Sequence, residues 1–244
     1  MAGVRPWATL RYERRGPVAV VSLDRPECLN AYSVAMRDDL HGVLAAAEAD
    51  PAVRVLVLRG RGPAFSTGGD LREFGSAPSP LVARQVRWQR DVWGQLLGLR
   101  AITLAAVHGL AVGGGMEMAL LCDLCLAADD ARFALPETSR GMIPGVGGTQ
   151  TLPRRVGVGR ALDVVLAGRW LNAREAETMG LVLHVVPRRR LEAAALALAR
   201  RLARVPPDAA RAARRCVRAA HDLPLEAGVS LERRLGLGLE RATS

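Results

Sequence analysis

Residues 102–127 read ITLAAVHGLAVGGGMEMALLCDLCLA. Ile102–Val107 is a short, mostly apolar run rich in residues that suit a buried strand. The triple glycine Gly113-Gly114-Gly115 closes that reading, and Met116–Cys122 follows with helix formers throughout. Leu124–Ala127 is again short and apolar, with Phe133–Leu135 positioned to pair beside it. Upstream, Val18–Leu23 (VAVVSL) and Val53–Leu58 (VRVLVL) predict two more buried strands, each ended by a turn rich in Gly, Pro or Asp. Between them Ser33 is placed to cap a helix in which Met36, Leu40, Val43, Leu44 and Ala47 recur at helical spacing until Asp50-Pro51.

Ala64–Asp70 is read as an extended piece entering a glycine turn, Ser76–Pro80 as a loop, and Leu81–Leu99 as one helix. Downstream of Gly148 the pattern becomes helical, over Arg160–Ala167, Ala173–Met179, Leu191–Val205, Pro207–His221 and from about Leu225, with Val182–Val186 the lone strand candidate. Strands separated by helices, then helices alone, describe an α/β core (residues 1–185) followed by a helical C-terminal region (186–244).

A chain of 244 residues, half of them hydrophobic and 24% charged, has the composition of a folded globular protein. Met1–Gly16 lacks the apolar core of a secretory leader and no segment approaches a membrane span, so a soluble, cytoplasmic protein is expected. Four scattered cysteines do not make a disulfide framework, and the pair Cys122 and Cys125 lacks a second pair or a spaced histidine for zinc; buried structural thiols are expected, and no metal. His41, His108, His184 and His221 are too dispersed for a metal motif. The formal charge is +10, of which +3 falls in residues 1–184 and +7 in 185–244, and every basic side chain other than histidine is arginine. An Arg-biased chain with solvated helix faces at Arg190, Arg200, Arg201, Arg204, Arg211, Arg214, Arg215 and Arg218 accounts for that excess, so no nucleic-acid partner is expected.

The usual signatures of dinucleotide, P-loop and α/β-hydrolase sites are missing. Two backbone-exposing turns and two carboxylates remain. Ser66-Thr67-Gly68-Gly69-Asp70 follows a strand, and Gly113-Gly114-Gly115 opens a helix, where free N–H groups and the helix dipole favour negative charge; two such donors can hold an oxyanion. Glu117 falls in the first helical turn and Glu137 in Leu135-Pro136-Glu137. Their separation in sequence leaves open whether they meet, and residue type and spacing alone favour a helix-dipole role for Glu117 and a loop ion-pair role for Glu137.

AFSTGGDLREF (64–74), AVHGLAVGGGMEMALLCDLCLAADDARFALPE (106–137) and GMIPGVGGTQTLPRRVG (141–157) closely resemble, in this order and at these separations, the signature stretches of the crotonase superfamily, specifically the enoyl-CoA hydratase/isomerase family. The resemblance extends from VAVVSLDRPECLN (18–30) to about Glu232. It implies a spiral of ββα repeats with a helical C-terminal trimerisation region, a homotrimer or dimer of trimers, and an acyl-CoA thioester as substrate with no separate cofactor. Position by position, it places the oxyanion donors at Gly69 and Gly114, substrate contacts at Gly69, Asp70, Leu71, Arg72 and Gly114 with Arg72 near the CoA phosphates, and the catalytic carboxylates at Glu117 and Glu137. Thr67 and Gly69 stand where the family commonly has alanine, and the sequence stops at Ser244, short of the family's usual terminal helix.

Retention of both carboxylates points to a 2-enoyl-CoA hydratase adding water across C2=C3. An isomerase shifting the double bond from C3 to C2 requires only one base, at Glu137. A non-catalytic acyl-CoA or RNA binder is the third possibility. The segment Phe74–Leu97 is expected to shape the acyl pocket, with Trp88 and Trp93 more at home in the core than on its wall.

Overall fold

The computed structural model describes residues 7–243. Met1–Pro6, the start of the stretch read for a leader, and Ser244 at the C-terminus lie outside the described residues. The strands are β1 (Leu10–Arg15), β2 (Val18–Leu23), β3 (Val55–Gly60), β4 (Ile102–Val107), β5 (Leu110–Val112), β6 (Leu124–Ala128), β7 (Arg132–Ala134), β8 (Leu171–Asn172) and β9 (His184–Val186). The helices are α1 (Val34–Ala49), α2 (Leu71–Ser76), α3 (Pro80–Trp88), α4 (Val92–Gly98), α5 (Gly114–Leu121), α6 (Gly148–Val156), α7 (Val158–Leu166), α8 (Ala173–Thr178), α9 (Leu191–Leu202), α10 (Pro207–Ala219) and α11 (Leu225–Thr243).

Six strands form one sheet in the order β1-β2-β3-β4-β6-β9, parallel except for the β1–β2 hairpin. Because side chains alternate across a strand, each central strand feeds two cores. Val21, Leu56, Ala105 and Ala127 point into the main core, while Val20, Val57, Leu104 and Leu126 point to the opposite face. There α9 covers them with Leu191, Ala195, Leu196 and Ala199.

The second sheet, β5-β7-β8, is small, and it explains the spiral. β4 crosses Gly109 into β5 and then α5; β6 crosses residues 129–131 into β7; and after β3 the chain makes a parallel bridge from Ser66 to Ala111 of β5 before entering α2. Each turn thus contributes a long strand to the large sheet, a short extended piece to the small one, and a helix.

The helix read as Leu81–Leu99 is two. Asp91 breaks it by accepting the Gly94 N–H at 2.8 Å, an N-cap that starts α4 afresh. Leu71–Ser76, of which only Ser76 falls in a segment read as a loop, is a helical turn capped by Asp70. The segment at Phe133 pairs with β5 and β8 rather than with β6. Ser33 caps α1 as its sequence predicts, accepting the Met36 N–H at 3.2 Å.

The arginines expected to be solvated in the C-terminal region divide. Arg214 and Arg218 both reach Asp123, at 2.7 and 2.8 Å, and donate to the carbonyls that end α4, notably Leu97. Arg211 pairs with Asp208 on its own helix. Arg214 and Arg218 fasten α10 to the core, which leaves less of the +7 facing solvent than the sequence suggests.

Candidate active site

Two backbone turns meet at the end of the small sheet. Tyr32 bridges Gly69, donating its N–H to Gly68 C=O at 2.7 Å and accepting the Asp70 N–H at 2.9 Å. In such a parallel bridge the flanking residues' groups make the bonds, so the N–H of Gly69 itself points away from Tyr32. Gly114 is the first residue of α5, where an N–H has no intrahelical acceptor. A β-carbon built on Gly114 would lie 3.8 Å from Gly69 N, so the two turns are in near contact. Gly115 permits this approach, because a β-carbon there would fall 2.2 Å from Ser66 C=O.

The first turn is tied from beneath by groups that sequence reading passed over. Ser66 Oγ donates to Asn30 C=O at 2.8 Å and accepts the Gly68 N–H at 3.2 Å. Asn30, fully buried and with φ +55°, donates its amide to Arg61 C=O and Ala64 C=O. Asn tolerates that backbone conformation better than most residues, which was the available signal. Asp70 caps α2 and binds Arg72 at 3.2 Å and Arg25 at 3.1 Å. The hydrogen bonds from Arg72, joined by Arg25, outweigh desolvation and hold the Asp70 carboxyl below the usual carboxylate range.

Glu117 is 1% exposed. Its Oε1 accepts two backbone N–H groups, from Val146 at 2.8 Å and Gly148 at 2.7 Å, which fix the plane of the carboxyl group. The glycine-rich loop 141–148 therefore orients Glu117, a relation that no spacing in the sequence reveals. Glu137 begins a 3-10 turn ending at Arg140, and its side chain folds back over the second glycine turn. A β-carbon on Gly113 would sit 2.9 Å from Glu137 Oε1; at φ +54° this position also suits glycine.

Glu117, Glu137, Gly69 and Gly114 line one cavity of about 890 Å³, measured to include its open mouth. Tyr32, Phe74, Trp88 and Trp93 form much of the remaining wall. Trp93 is buried with its ring centroid 4.9 Å from that of Tyr32, whereas Trp88 is half-exposed; both face the cavity instead of being confined to the core. On one side the cavity continues into a groove lined by Leu71, Arg72, Arg140 and Trp170. Leu71 and Arg72 are exposed there, and Arg140 makes no ion pair with any described residue.

Away from the cavity, Cys122 and Cys125 are buried and their thiols are pushed up to about 12 by desolvation, as inert structural thiols would be, while Cys28 and Cys216 are partly exposed. No group of three or more His, Cys, Asp or Glu able to hold a metal occurs among the described residues.

The model of the enoyl-CoA hydratase/isomerase family matches residues 13–239. The 2,3-dehydroadipyl-CoA hydratase of Escherichia coli is 38% identical over 222 residues, covering 91% of this chain and 86% of that protein. The crystal structure of an enoyl-CoA hydratase from Bacillus anthracis superposes with a TM-score of 0.91 at 34% identity, covering 96% of this chain and 91% of that one. A Thermobifida fusca protein of the enoyl-CoA hydratase type, solved in complex with acetoacetyl-CoA, gives 0.88 at 33% identity and covers 96% of each chain. The fold is that of the crotonase superfamily. Within it, this chain belongs to the enoyl-CoA hydratase/isomerase family.

Proposed function

We propose that this protein hydrates 2-enoyl-CoA thioesters reversibly to 3-hydroxyacyl-CoA, with Glu117 and Glu137 as its catalytic pair and the N–H groups of Gly69 and Gly114 as its oxyanion donors. The observation that carries this reading is the meeting of two carboxyl groups and two outward backbone donors in a single cavity.

The thioester oxygen accepts the two N–H groups. As one carboxylate takes a proton from water, the water oxygen bonds to C3, and the C2=C3 electron pair moves to make an enolate whose charge collects on that oxygen. The second carboxyl, protonated at the outset, delivers its proton to C2 as the enolate collapses. The pair ends with its proton moved from one glutamate to the other, and no cofactor enters the balance. Preorganised donors act where charge develops, and each typically contributes about 10²- to 10³-fold in rate. Positioned acid and base groups add about 10²- to 10⁴-fold.

The groove side suits coenzyme A: Arg72 and Arg140 supply cations where a phosphate-bearing chain would leave the cavity. Acetoacetyl-CoA in the Thermobifida fusca relative supports a CoA thioester as ligand. No described helix is long and apolar enough to cross a membrane. Assembly as a homotrimer or dimer of trimers is supported by exposed Val158, Leu162 and Leu166, which repeat every fourth residue along α7, and by exposed Leu225, Val229 and Leu237 on α11.

Both carboxyl groups in one cavity favour hydration over the isomerase reading, which employs only one. Incubation with crotonyl-CoA tests it: the enoyl absorbance falls if the protein is a hydratase, and persistence of that absorbance with crotonyl-CoA and longer 2-enoyl-CoAs alike contradicts it.

A further inference from the structure

Helix α6 is poorly provided for by its own sequence. It runs nine residues, starts at Gly147 and Gly148 with no side-chain cap, and carries Pro153 inside, which removes one of its few backbone bonds. A helix this short has little stability alone, so its placement depends on what it touches. Its first residue is nonetheless held to a tight tolerance. Gly148 donates its N–H to Glu117 Oε1 at 2.7 Å, and a β-carbon there would meet Glu117 Cγ and Oε1 at 3.0 Å and Leu135 at 3.1 Å.

The tie lies at the other end of the helix. Arg155, partly buried, donates from Nη2 to Leu120 C=O at 2.9 Å and to Cys122 C=O at 2.6 Å, and its Nη1 stands 3.5 Å from Leu181 C=O. Leu120 belongs to the last turn of α5, where carbonyls have no partner within the helix and carry the negative end of its dipole. One cation therefore closes α5 and fastens α6 to it. Its neighbour Arg154 turns instead to Gln150 C=O and Asp222.

We propose that Arg155 is a positioning residue for the hydration: by anchoring α6 to the end of α5 it keeps the Val146 and Gly148 N–H groups on Glu117 Oε1, so that the carboxyl group meets water in one fixed orientation. The proposal rests on the hydratase reading above and deepens it. Arg155 lies outside the wall of the cavity, so its removal acts through the placement of Glu117 and leaves the acyl-CoA contacts in place.

Arg155→Met, which keeps the aliphatic stem and removes the donors, is compared with Arg155→Lys and Arg154→Ala in the intact protein. The readouts are crotonyl-CoA hydration, acetoacetyl-CoA affinity and amide-resolved hydrogen exchange. Arg155→Met is expected to lower kcat about 10- to 10²-fold with affinity within about twofold, because a small displacement of a reacting group costs rate rather than binding. Exchange at the Val146 and Gly148 amides should quicken about tenfold or more as that end of α6 loosens. Arg155→Lys, one ammonium in place of a planar fork, should fall about threefold in kcat and lie between the two in exchange. Arg154→Ala should leave kcat and exchange unchanged. A kcat near native in Arg155→Met, exchange at the two amides no faster than in Arg154→Ala, or an equal loss of kcat in Arg154→Ala overturns the proposal. Should Arg155→Met not fold, native kcat and native exchange in Arg155→Lys overturn it. Failure of the hydratase reading looks different: the unaltered protein leaves the enoyl absorbance standing, while Arg155→Met still quickens exchange at Val146 and Gly148.

Discussion

Around Glu117 the cavity wall is backbone: two glycine turns in near contact, a carboxyl oxygen pinned by the Val146 and Gly148 N–H groups, and Ser66 and Asn30 fastening the turn from below. Across from it, residues 71–98 supply side chains on three short helices, with Phe74, Trp88 and Trp93 turned inward. Backbone donors fixed by sheet bridges and helix starts cannot be changed by most substitutions, whereas side chains on short helices can be exchanged one at a time. The first wall suits chemistry that must not vary. The second suits selection among acyl groups.

The comparison breaks if the backbone wall tolerates change. Glu117→Gln and Glu137→Gln preserve volume and most hydrogen bonding, so both are expected to fold and bind acyl-CoA normally while hydration falls about 10²- to 10⁴-fold, measured as loss of enoyl absorbance. Gly114→Pro removes one donor at a helix position that accommodates proline, and is expected to lower the rate about 10²- to 10³-fold with both carboxyl groups intact. Near-native turnover in Gly114→Pro would remove that N–H from the mechanism.

Stability changes sharpen the same contrast. Arg214→Ala removes one of the two cations on the partly buried Asp123, which keeps Arg218, and frees the Leu99 and Ala101 carbonyls after α4, at the edge of the side-chain wall. It should cost about 1–2 kcal/mol and lower Tm by roughly 2–8 °C. Gly115→Ala pushes a β-carbon into Ser66 C=O and should cost about 1–3 kcal/mol, with a fall in hydration because the two turns must separate.

The smallest effect is a pH dependence at His108, buried beneath the crossing from β4 to β5. Burial, aided by Arg188, pushes its imidazole below the usual 6.5. A depressed value means that protonation opposes folding: the contribution is fully present above pH 6.5 and lost as pH falls toward the folded value. Urea unfolding at pH 7.5 and 5.5 should show an extra loss on the order of 1 kcal/mol or less, which His108→Gln abolishes.

Much of this was legible beforehand. The core strands carry largely apolar runs because both faces of the sheet are covered, and Ser33 and Asp50-Pro51 mark α1 by capping chemistry alone. The glycine turns and both glutamates could be singled out from residue type. β1, with its Glu and Arg residues, was missed because a half-exposed edge strand pairs through backbone rather than pattern. β5 and β8 are too short to show a period. α6 was hidden by Gly147-Gly148 and Pro153. Within the site, the long-range partners escaped: nothing in residues 141–148 says that their N–H groups face Glu117, and nothing at Arg72 says that it would be shared with Asp70.

The paired action of Glu117 and Glu137 is tested most directly by a double-variant cycle on crotonyl-CoA hydration, with acetoacetyl-CoA affinity measured alongside. Groups that act as a unit lose their effect together, so Glu117→Gln/Glu137→Gln is expected to be about as slow as the slower single variant, with affinity preserved in all three proteins. Losses that multiply across the two sites, or near-native hydration in either single variant, would contradict a mechanism in which one glutamate takes the proton that the other replaces.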